Sequence, residues 1–320
     1  MFKKNKFIYV GIILCILIVI GFAYYLNTSK NKIVKSHKKY SKVKLVIDAE
    51  NKNILPAKFR TTNDTIKLNE KKEVNLLGLS ELNASGSGAF SKNELVQIKN
   101  TIGNKPIIDV DLRQESHGFV NGIGISYYGK KDDANLNLTS DEVISDENNK
   151  LNTIAKNKKV TFDKLSKKKS VSDISVINDV KTVQTEKELA NSLGLQYLRI
   201  TVPDHKIPTN DQVDSFVNFI ETLPKGTWLH FHCRGGKGRT TTFLSMYDML
   251  LNAKKVTFND IMKRQKLIGG EDLLSGSDAG GKADAEKRSK LLTYFYTYCH
   301  DNTDNFKTTF SQWLQRYTSN

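Results

Sequence analysis

Cysteine is scarce in this sequence. The 320 residues include only Cys15, Cys233 and Cys299, which excludes a framework of disulfide bonds. The sequence has no internal repeat, and no larger cluster of cysteine and histidine has the spacing of a structural zinc site. We therefore expect a hydrophobic core to stabilise the fold, and 38% hydrophobic residues suffice for a sizeable one.

Acidic residues are also outnumbered. The chain has 49 lysines and arginines against 34 aspartates and glutamates, a formal net charge of +15. Such a charge suits nucleic acid, an anionic surface or a highly phosphorylated small molecule. No nucleic-acid-binding motif is present, and basic and aromatic residues are not interleaved. We therefore predict no nucleic-acid partner.

The N-terminus contains an uncharged stretch long enough to cross a bilayer. Three lysines precede 20 uncharged residues, Phe7–Leu26, and no A-x-A-like cleavage site follows. We predict an uncleaved signal anchor over residues 1–30, with the membrane as a partner, and an exported protein held at the cell surface. A cleaved signal peptide, and hence secretion, is the alternative, and the lysines after the span favour the opposite orientation.

The rest of the chain reads as a lysine-rich linker, 31–55, followed by a globular domain, 56–320. Apolar strands alternate with helical patterns, which predicts an α/β fold with a mostly parallel sheet flanked by helices. Residues 118–182 interrupt this alternation and are interpreted as an inserted small β domain. The predicted strands are 73–82, 106–112, 195–202 and 228–232, and a glycine-serine loop is predicted at 84–89. The predicted helices are 91–102, 186–193, 210–222, 240–253, 257–268 and 286–298, and Ser91 is the expected N-cap of the first, with Glu94 as its capping-box partner.

The most informative segment is HCRGGKGRT, from His232 to Thr240. It places five residues between Cys233 and Arg239 and joins a predicted strand to a predicted helix. Its three glycines are Gly235, Gly236 and Gly238. This HCxxGxGR[ST] pattern resembles the active-site loop of the cysteine-dependent phosphatases.

Phosphate chemistry explains these residue types. Glycines let successive N–H groups form an anion nest, and the following helix directs its positive end at the same point. Arg239 supplies a bidentate clamp, and the same field favours the thiolate of Cys233, to which Thr240 can donate its hydroxyl. His232 would hold the loop from behind. The other loop residues predicted to bind the substrate are Arg234, Gly235, Gly236, Lys237 and Gly238.

Two other interpretations fit the residue types of this segment. Cys233 could be a buried structural cysteine beside a glycine-rich turn. His230, His232 and Cys233 could also bind zinc, because alternation on a strand places both histidines on one face. The fixed spacing within a strand–loop–helix context favours the catalytic interpretation. We predict no metal and no cofactor.

A general acid is expected on a loop before the nucleophile. Asp204 follows the predicted strand 195–202 and lies 29 residues before Cys233. It would protonate the leaving oxygen and then deprotonate the water that hydrolyses the cysteinyl-phosphate. The alternative is a turn aspartate beside Pro203.

Longer segments make the resemblance more specific. DLRQESHG at 111–118 and WLHFHC at 228–233 carry most of it, with Gly238-Arg239-Thr240-Thr241. Shorter matches are Phe59-Arg60, Asn121-Gly122, Tyr128-Gly129, Asp132, Asp204-His205, Pro208-Thr209, Arg264-Gln265 and Ile268-Gly269-Gly270. From about Phe59 to Tyr317 the chain resembles the bacterial protein-tyrosine-phosphatase-like phytases, also called cysteine phytases.

The resemblance implies a phosphatase fold with a small β-barrel-like insertion. It also implies metal-independent, sequential dephosphorylation of inositol hexakisphosphate. By motif position His205 would contact the substrate, and Arg60, Glu115 and Asp132 correspond to pocket or orienting residues. Further basic residues that the resemblance places near the substrate are Lys168, Lys169, Lys282 and Arg288.

The loop departs from the family pattern at two positions. Arg234 stands where many relatives carry an acidic or neutral residue, and Lys237 stands where many carry a small one. Two extra cations suit a polyanion, but they also resemble the loops of phosphoinositide 3-phosphatases. The leading hypothesis is an inositol polyphosphate phosphatase; the alternatives are a phosphoinositide or phosphotyrosine-protein phosphatase and a non-catalytic polyphosphate-binding module.

Overall fold

The computed structural model describes residues 43–66, 74–129, 133–165, 171–276 and 280–319. The chain divides into two compact units, Met1–Val43 and Lys44–Asn320, and every element below lies in the second. The predicted membrane span, Phe7–Leu26, lies outside the described residues. Among the helices that are described, none is both long and apolar enough to cross a membrane.

Strands and helices alternate along much of the second unit. The strands are β1 (Lys44–Ala49), β2 (Arg60–Thr61), β3 (Ala84–Ser87), β4 (Ile107–Asp111), β5 (His117–Val120), β6 (Ile123–Tyr128), β7 (Val160–Leu165), β8 (Val171–Ile177), β9 (Val183–Gln184), β10 (Gln196–Arg199) and β11 (Trp228–His232). The helices are α1 (Lys92–Ile102), α2 (Ser140–Ala155), α3 (Glu186–Ser192), α4 (Asn210–Glu221), α5 (Gly238–Asn252), α6 (Phe258–Leu267), α7 (Lys282–Asp301) and α8 (Phe310–Ser319).

A five-stranded sheet, in the order β10-β4-β11-β3-β2, organises the main core. All neighbours run parallel except β2, which is antiparallel to β3, so the mostly parallel sheet expected from the sequence is present. β4 and β11 are buried along their whole length, as strands covered on both faces are. His232 lies beside Asp111 and Ser87 in the register. The loops that follow these three strands therefore emerge at one edge of the sheet.

Helix α5 runs through the core directly after the glycine-rich loop. Every residue from Arg239 to Met249 is buried, which is typical of a helix packed on all sides. Its apolar part includes Phe243 and Leu244, both fully buried, and each such side chain contributes about 2 kcal/mol to folding. The packing fixes the N-terminus of α5 beneath the loop.

Four helices begin with a reciprocal capping box. In each, a hydroxyl accepts a hydrogen bond from the N–H three residues later, while the side chain at that later position accepts one from the cap N–H. The four pairs are Ser91 with Glu94, Thr139 with Glu142, Thr185 with Glu188, and Thr209 with Gln212. The cap predicted at Ser91 is confirmed, and each box fixes where a helix begins.

A second sheet has six strands in the order β8-β7-β1-β6-β5-β9. The predicted insertion, 118–182, supplies β6, β7 and β8 together with helix α2. Strand β1 comes from the segment interpreted as a linker, and that interpretation is wrong for Lys44–Ala49. This segment pairs with β6 and β7 and buries Val46 completely. No pairing among the described residues joins the edge strands β8 and β9.

The segment around β3 also differs from its prediction. The expected strand at 73–82 consists, in its described part, of turns and a short 3-10 helix, Ser80–Leu82. The true strand is Ala84–Ser87, which was interpreted as a loop. A Cβ atom at Gly86 would lie 2.8 Å from Thr240 and 2.9 Å from Leu244. Small residues are needed here because α5 packs directly on this strand.

Candidate active site

The glycine-rich loop connects β11 to α5 and depends on one left-handed glycine. Gly236 has φ of +66°, and a Cβ atom there would lie 2.5 Å from the backbone nitrogen of Gly88 and 2.6 Å from the carbonyl carbon of Ser87. Only glycine combines this backbone conformation with such close contact. The loop leads into a 15-residue helix, whose N-terminus favours an anion.

Cys233 lies at the base of this loop and is buried. Thr240 donates a hydrogen bond from Oγ1 to the cysteine Sγ over 3.1 Å. Burial would raise the pKa of the Cys233 thiol, but the Arg239 guanidinium and the Thr240 hydrogen bond outweigh it and lower the pKa. The thiolate is therefore favoured, as a cysteine nucleophile requires.

Arg239 is held by carboxylates and carbonyls. Its two Nη groups donate to the two oxygens of Glu115 over 2.8 and 3.0 Å, and Nη1 also donates to the carbonyl of Val202. Nη2 lies 3.0 Å from Oδ1 of Asp204. Its buried Nε has no hydrogen-bond partner in the described part of the chain. Nε and Nη2 therefore form the edge of Arg239 best placed to receive a phosphate.

Asp204 and His205 lie on the loop after β10. Oδ2 of Asp204 lies 3.0 Å from Nε2 of His205. His205 adopts a left-handed conformation, with φ of +62°, which costs about 1 kcal/mol or more for a residue other than glycine. Arg288 donates to the His205 carbonyl over 3.2 Å and supports this loop from α7. The expected acid, its histidine neighbour and the arginine clamp therefore meet at one point.

The two histidines of β11 have different partners behind the loop. His232 is completely buried and lies 2.6 Å from Glu186 of α3 through Nε2. His230 bonds the hydroxyls of Ser85 and Ser87. Burial and the nearby His232 hold the pKa of His230 well below its usual value. His232 therefore braces the loop through Glu186, while a neutral His230 packs inside the sheet.

Glu186 also contacts a second buried histidine. Nε2 of His117 lies 3.1 Å from Glu186. Burial opposes a charge on His117, but Asp111 and Glu147 outweigh it and raise its pKa to about 10. For Glu186, burial is likewise outweighed by His232, and its pKa falls to about 2. Charged groups under the loop thus neutralise one another.

Two groups in this region have ligand atoms within 4.8 Å of one another, the spacing of a metal site. They are Asp109, Glu186 and His232, and Asp111, His117 and Glu186. The zinc alternative from the sequence named instead His230, His232 and Cys233. His230 is bonded to two serines and Cys233 to Thr240, so these three have separate partners.

Not every residue expected near the substrate lies in the cavity. Arg60 is buried behind the loop, where it donates to the carbonyl of Gly236 over 2.9 Å and to Thr241, so it orients the loop. The Lys282 side chain is 85% exposed and lies 3.9 Å from Glu286, outside the cavity lining. Asp132, Lys168 and Lys169 lie outside the described residues.

The loop forms the floor of a cavity of about 370 Å³, a size typical of small-molecule sites. Among the described residues, four basic and three acidic side chains line it. They are Arg234, Lys237, Arg239 and Arg288, with Asp48, Asp204 and Glu271. Gly235, Gly238, His205 and Cys233 also contribute to the lining, whereas Gly236 and Thr240 do not. The cavity is therefore less cationic than the loop sequence alone implies.

Asp48 is a residue of the cavity that the sequence did not indicate. It lies on β1 and accepts hydrogen bonds from Arg234 and Arg113, each over 2.8 Å. Arg113 in turn donates to Glu115. Burial would raise the pKa of Asp48, but the two guanidinium groups lower it to about 2. The local signal for a strand here is the short apolar run Leu45–Ile47, which contains two β-branched residues.

These features define a class of protein. A cysteine with a lowered pKa sits in a glycine-rich loop between a parallel strand and a buried helix. An arginine clamp and an aspartate from a neighbouring loop meet beside it. This combination of fold and site is that of the cysteine-dependent phosphatases.

Comparisons with known proteins agree with this assignment to the cysteine-dependent phosphatases. The family model described as PTP-like phytase, inositol hexakisphosphate, matches residues 110–251. A PTP-like phytase from Bdellovibrio bacteriovorus has 30% sequence identity and a TM-score of 0.69, covering 86% of this chain and 96% of that one. The PTP-like myo-inositol phosphatase from Mitsuokella multacida was solved with myo-inositol-(1,3,4,5)-tetrakisphosphate. It has 35% identity and a TM-score of 0.81, and the match covers 87% of this chain and 48% of that one.

A curated relative is also similar. Effector protein hopD2 of Pseudomonas syringae pathovar tomato is 31% identical over 263 residues, which are 80% of this chain and 56% of that protein. The chain thus spans about half the length of hopD2 and of the Mitsuokella protein. With the Bdellovibrio structure matched over nearly its whole length, the chain belongs to the PTP-like phytase family, whose members are cysteine-dependent phosphatases.

Proposed function

We propose that this protein removes phosphate groups from inositol polyphosphates through a cysteinyl-phosphate intermediate, without a metal ion. The observation that carries the proposal is the meeting of Cys233, Arg239 and Asp204 in one cavity, with the cysteine pKa lowered. The nucleophile, the charge clamp and the proton donor that phosphate-ester cleavage requires are then all within reach of one phosphate group.

The first step transfers the phosphoryl group to sulfur. The Cys233 thiolate attacks phosphorus, a sulfur–phosphorus bond forms, and the bond to the leaving oxygen breaks. Nε and Nη2 of Arg239 hold the equatorial oxygens, so an entering phosphate competes with Asp204 for Nη2. Asp204, which lies 3.0 Å from His205 and enters this step as the protonated acid, gives its proton to the leaving oxygen.

The second step regenerates the enzyme. Asp204, now a carboxylate, takes a proton from water as the water oxygen attacks phosphorus. The sulfur–phosphorus bond breaks, its electron pair returns to Cys233, and inorganic phosphate leaves. Thr240, which donates to Sγ over 3.1 Å, stabilises the departing thiolate.

The substrate class has separate support. The family model carries the description inositol hexakisphosphate, and the Mitsuokella relative was solved with an inositol tetrakisphosphate. In this chain Arg234 and Lys237 add two basic side chains to the cavity. Several phosphates on one small ring use such a rim better than a single phosphotyrosine does.

Phosphate release by the full-length chain in the presence of a chelator tests the proposal. The substrates are inositol hexakisphosphate, phosphatidylinositol trisphosphate and a phosphotyrosine peptide. We expect several phosphates to be released from the inositol compound, and turnover to vanish in Cys233→Ser while substrate binding persists. Preference for the lipid or the peptide would overturn the substrate assignment, and an active Cys233→Ser protein would overturn the nucleophile.

We also propose that the protein is exported and retained at the bacterial surface by residues 1–30. The support is the order of three lysines followed by the uncharged stretch Phe7–Leu26. Mass spectrometry of the protein recovered from its native cells tests this. An intact N-terminus in the membrane fraction supports the anchor, and a protein shortened after this stretch would contradict it.

A further inference from the structure

Arg234 is held in a fixed position at the side of the cavity. It follows the nucleophile directly in the chain, and its side chain is 22% exposed. Nε donates to Oδ1 of Asp48 over 2.8 Å. The centre of the guanidinium lies 4.5 Å from the centroid of the Tyr128 ring, within the distance of a cation–π contact. An arginine fixed at both its edge and its face loses little freedom on binding a ligand.

The group that holds Arg234 is itself fixed. The Asp48 side chain is 1% exposed and lies between Arg234 and Arg113. Arg113 contacts Glu115, and Glu115 contacts the phosphate clamp Arg239. Opposite charges therefore alternate from Arg234 to Arg239 through buried groups. This chain of contacts sets the position of one arginine relative to the other.

Lys237 provides a contrast on the same loop. Its side chain is 56% exposed and pairs over 3.3 Å with Glu271, which is 41% exposed. An exposed pair of this kind contributes little and does not fix a geometry. Both residues are basic departures from the family pattern, but only Arg234 is positioned by buried partners.

We propose that Asp48 and Tyr128 hold Arg234 as the binding site for a second phosphate group of a substrate whose first phosphate occupies the Cys233 loop. Arg234 lines the cavity beside Cys233, and a guanidinium can bind a phosphate through paired N–H donors. Arg234 is then a specificity residue for polyphosphorylated substrates, and Asp48 is a positioning residue that acts through it. The inference deepens the proposed function and rests on it.

The experiment measures inhibition of p-nitrophenyl phosphate hydrolysis by full-length protein. The inhibitors are inositol hexakisphosphate and inorganic phosphate. We expect Arg234→Gln to raise the inhibition constant of the polyphosphate about 10- to 100-fold, the loss expected for a hydrogen bond to a charged group. Inhibition by inorganic phosphate should change by less than about fivefold, as for a distant charge. Arg316→Gln, which removes an exposed charge on α8, is the matched control.

Further variants separate positioning from folding. Asp48→Asn should also raise the inhibition constant of inositol hexakisphosphate. Because Asp48 acts through Arg234, the variant with both Asp48→Asn and Arg234→Gln should have the same inhibition constant as Arg234→Gln alone. Arg234→Lys keeps the positive charge but loses the planar guanidinium. Its inhibition constant for inositol hexakisphosphate should lie between those of wild type and Arg234→Gln. Arg234→Gln and Arg234→Lys keep the test valid if Asp48→Asn does not fold.

Two outcomes would overturn the inference. Equal weakening of both inhibitors in Arg234→Gln would mean that Arg234 serves the loop as a whole. An unchanged constant for the polyphosphate would mean that Arg234 does not contact it. Because inhibition does not require the polyphosphate to be hydrolysed, failure of the proposed substrate would appear separately, as absent phosphate release by wild type.

Discussion

The two sheets contribute to the cavity in different ways. The five-stranded sheet carries Cys233 at the end of β11 and Asp204 on the loop after β10. In the proposed mechanism these are the groups that make and break bonds. The six-stranded sheet carries Asp48 on β1 and Tyr128 on β6. Neither of these reacts with a phosphate, but both contact Arg234. The residues proposed for the chemistry and those proposed for recognition therefore come from separate sheets.

The two arginines of the loop show the same division. Arg239 has a 1% exposed side chain and takes its partners from the loops after β4 and β10. Arg234 is 22% exposed and takes its partners from β1 and β6. Substitutions among the partners of Arg239 should lower turnover of every substrate. Substitutions among the partners of Arg234 should weaken binding only of substrates that carry several phosphates. The predictions below test this contrast.

Asp204→Asn should have the largest effect. General acid catalysis typically contributes about 10²- to 10⁴-fold, so hydrolysis of inositol hexakisphosphate should fall by that range. Hydrolysis of p-nitrophenyl phosphate should fall less, since p-nitrophenolate leaves without a proton. Steady-state kinetics with both substrates measures this, with the exposed Asp211→Asn as control. Equal losses would assign Asp204 to phosphate binding rather than proton transfer.

Glu115→Gln should destabilise the buried ion pairs that connect Arg239 to Arg113. Glu115 is buried between Arg113 and Arg239, and removing one partner of a buried ion pair costs about 3–5 kcal/mol. The free energy of unfolding in urea near pH 7 should fall accordingly, while the exposed Glu188→Gln should change it little.

The stability lost in Glu115→Gln should decrease as the pH falls. Burial would raise the pKa of Glu115, but Arg239 and Arg113 outweigh it and lower the pKa below its usual 4.5. Its stabilisation is therefore complete above pH 4.5 and is lost as the pH falls through the lowered value. The difference between wild type and Glu115→Gln should shrink in acid. A difference that persists there would show that the charge is not its cause.

Thr240→Val should have an intermediate effect. Loss of its hydrogen bond to the Cys233 sulfur should raise the cysteine pKa and lower turnover about 10- to 100-fold, as for a hydrogen bond to a charged group. The pH midpoint of alkylation by iodoacetamide should shift upward, and Thr240→Ser should behave like wild type. Cys299 is an internal control, because burial raises its pKa and shields it.

The chemical side was largely predictable from the sequence because its residues are contiguous or follow predicted strands. Cys233, Arg239 and Thr240 share one motif, and β11 has the predicted bounds. The recognition side was not, because Asp48 lies 186 residues before Arg234 and 65 before Arg113. No local periodicity reports such pairing. The lysine-rich residues around β1 are typical of a linker. The small residues of β3 are typical of a loop, and only the packing of α5 against them explains why they form a strand.

Tyr128→Leu should have the smallest effect and should sharpen the contrast between the sheets. Its ring faces the Arg234 guanidinium at 4.5 Å, and a cation–π contact contributes about 0.5–1 kcal/mol, or roughly two- to fivefold in affinity. Only the KM for polyphosphorylated substrates should rise, while kcat should change little because Tyr128 acts through its contact with Arg234, which takes no part in the proposed bond changes. Tyr127→Leu removes a comparable contact, with Lys150, and is the matched control. A fall in kcat on p-nitrophenyl phosphate with Tyr128→Leu alone would mean that the six-stranded sheet also shapes the nucleophile loop.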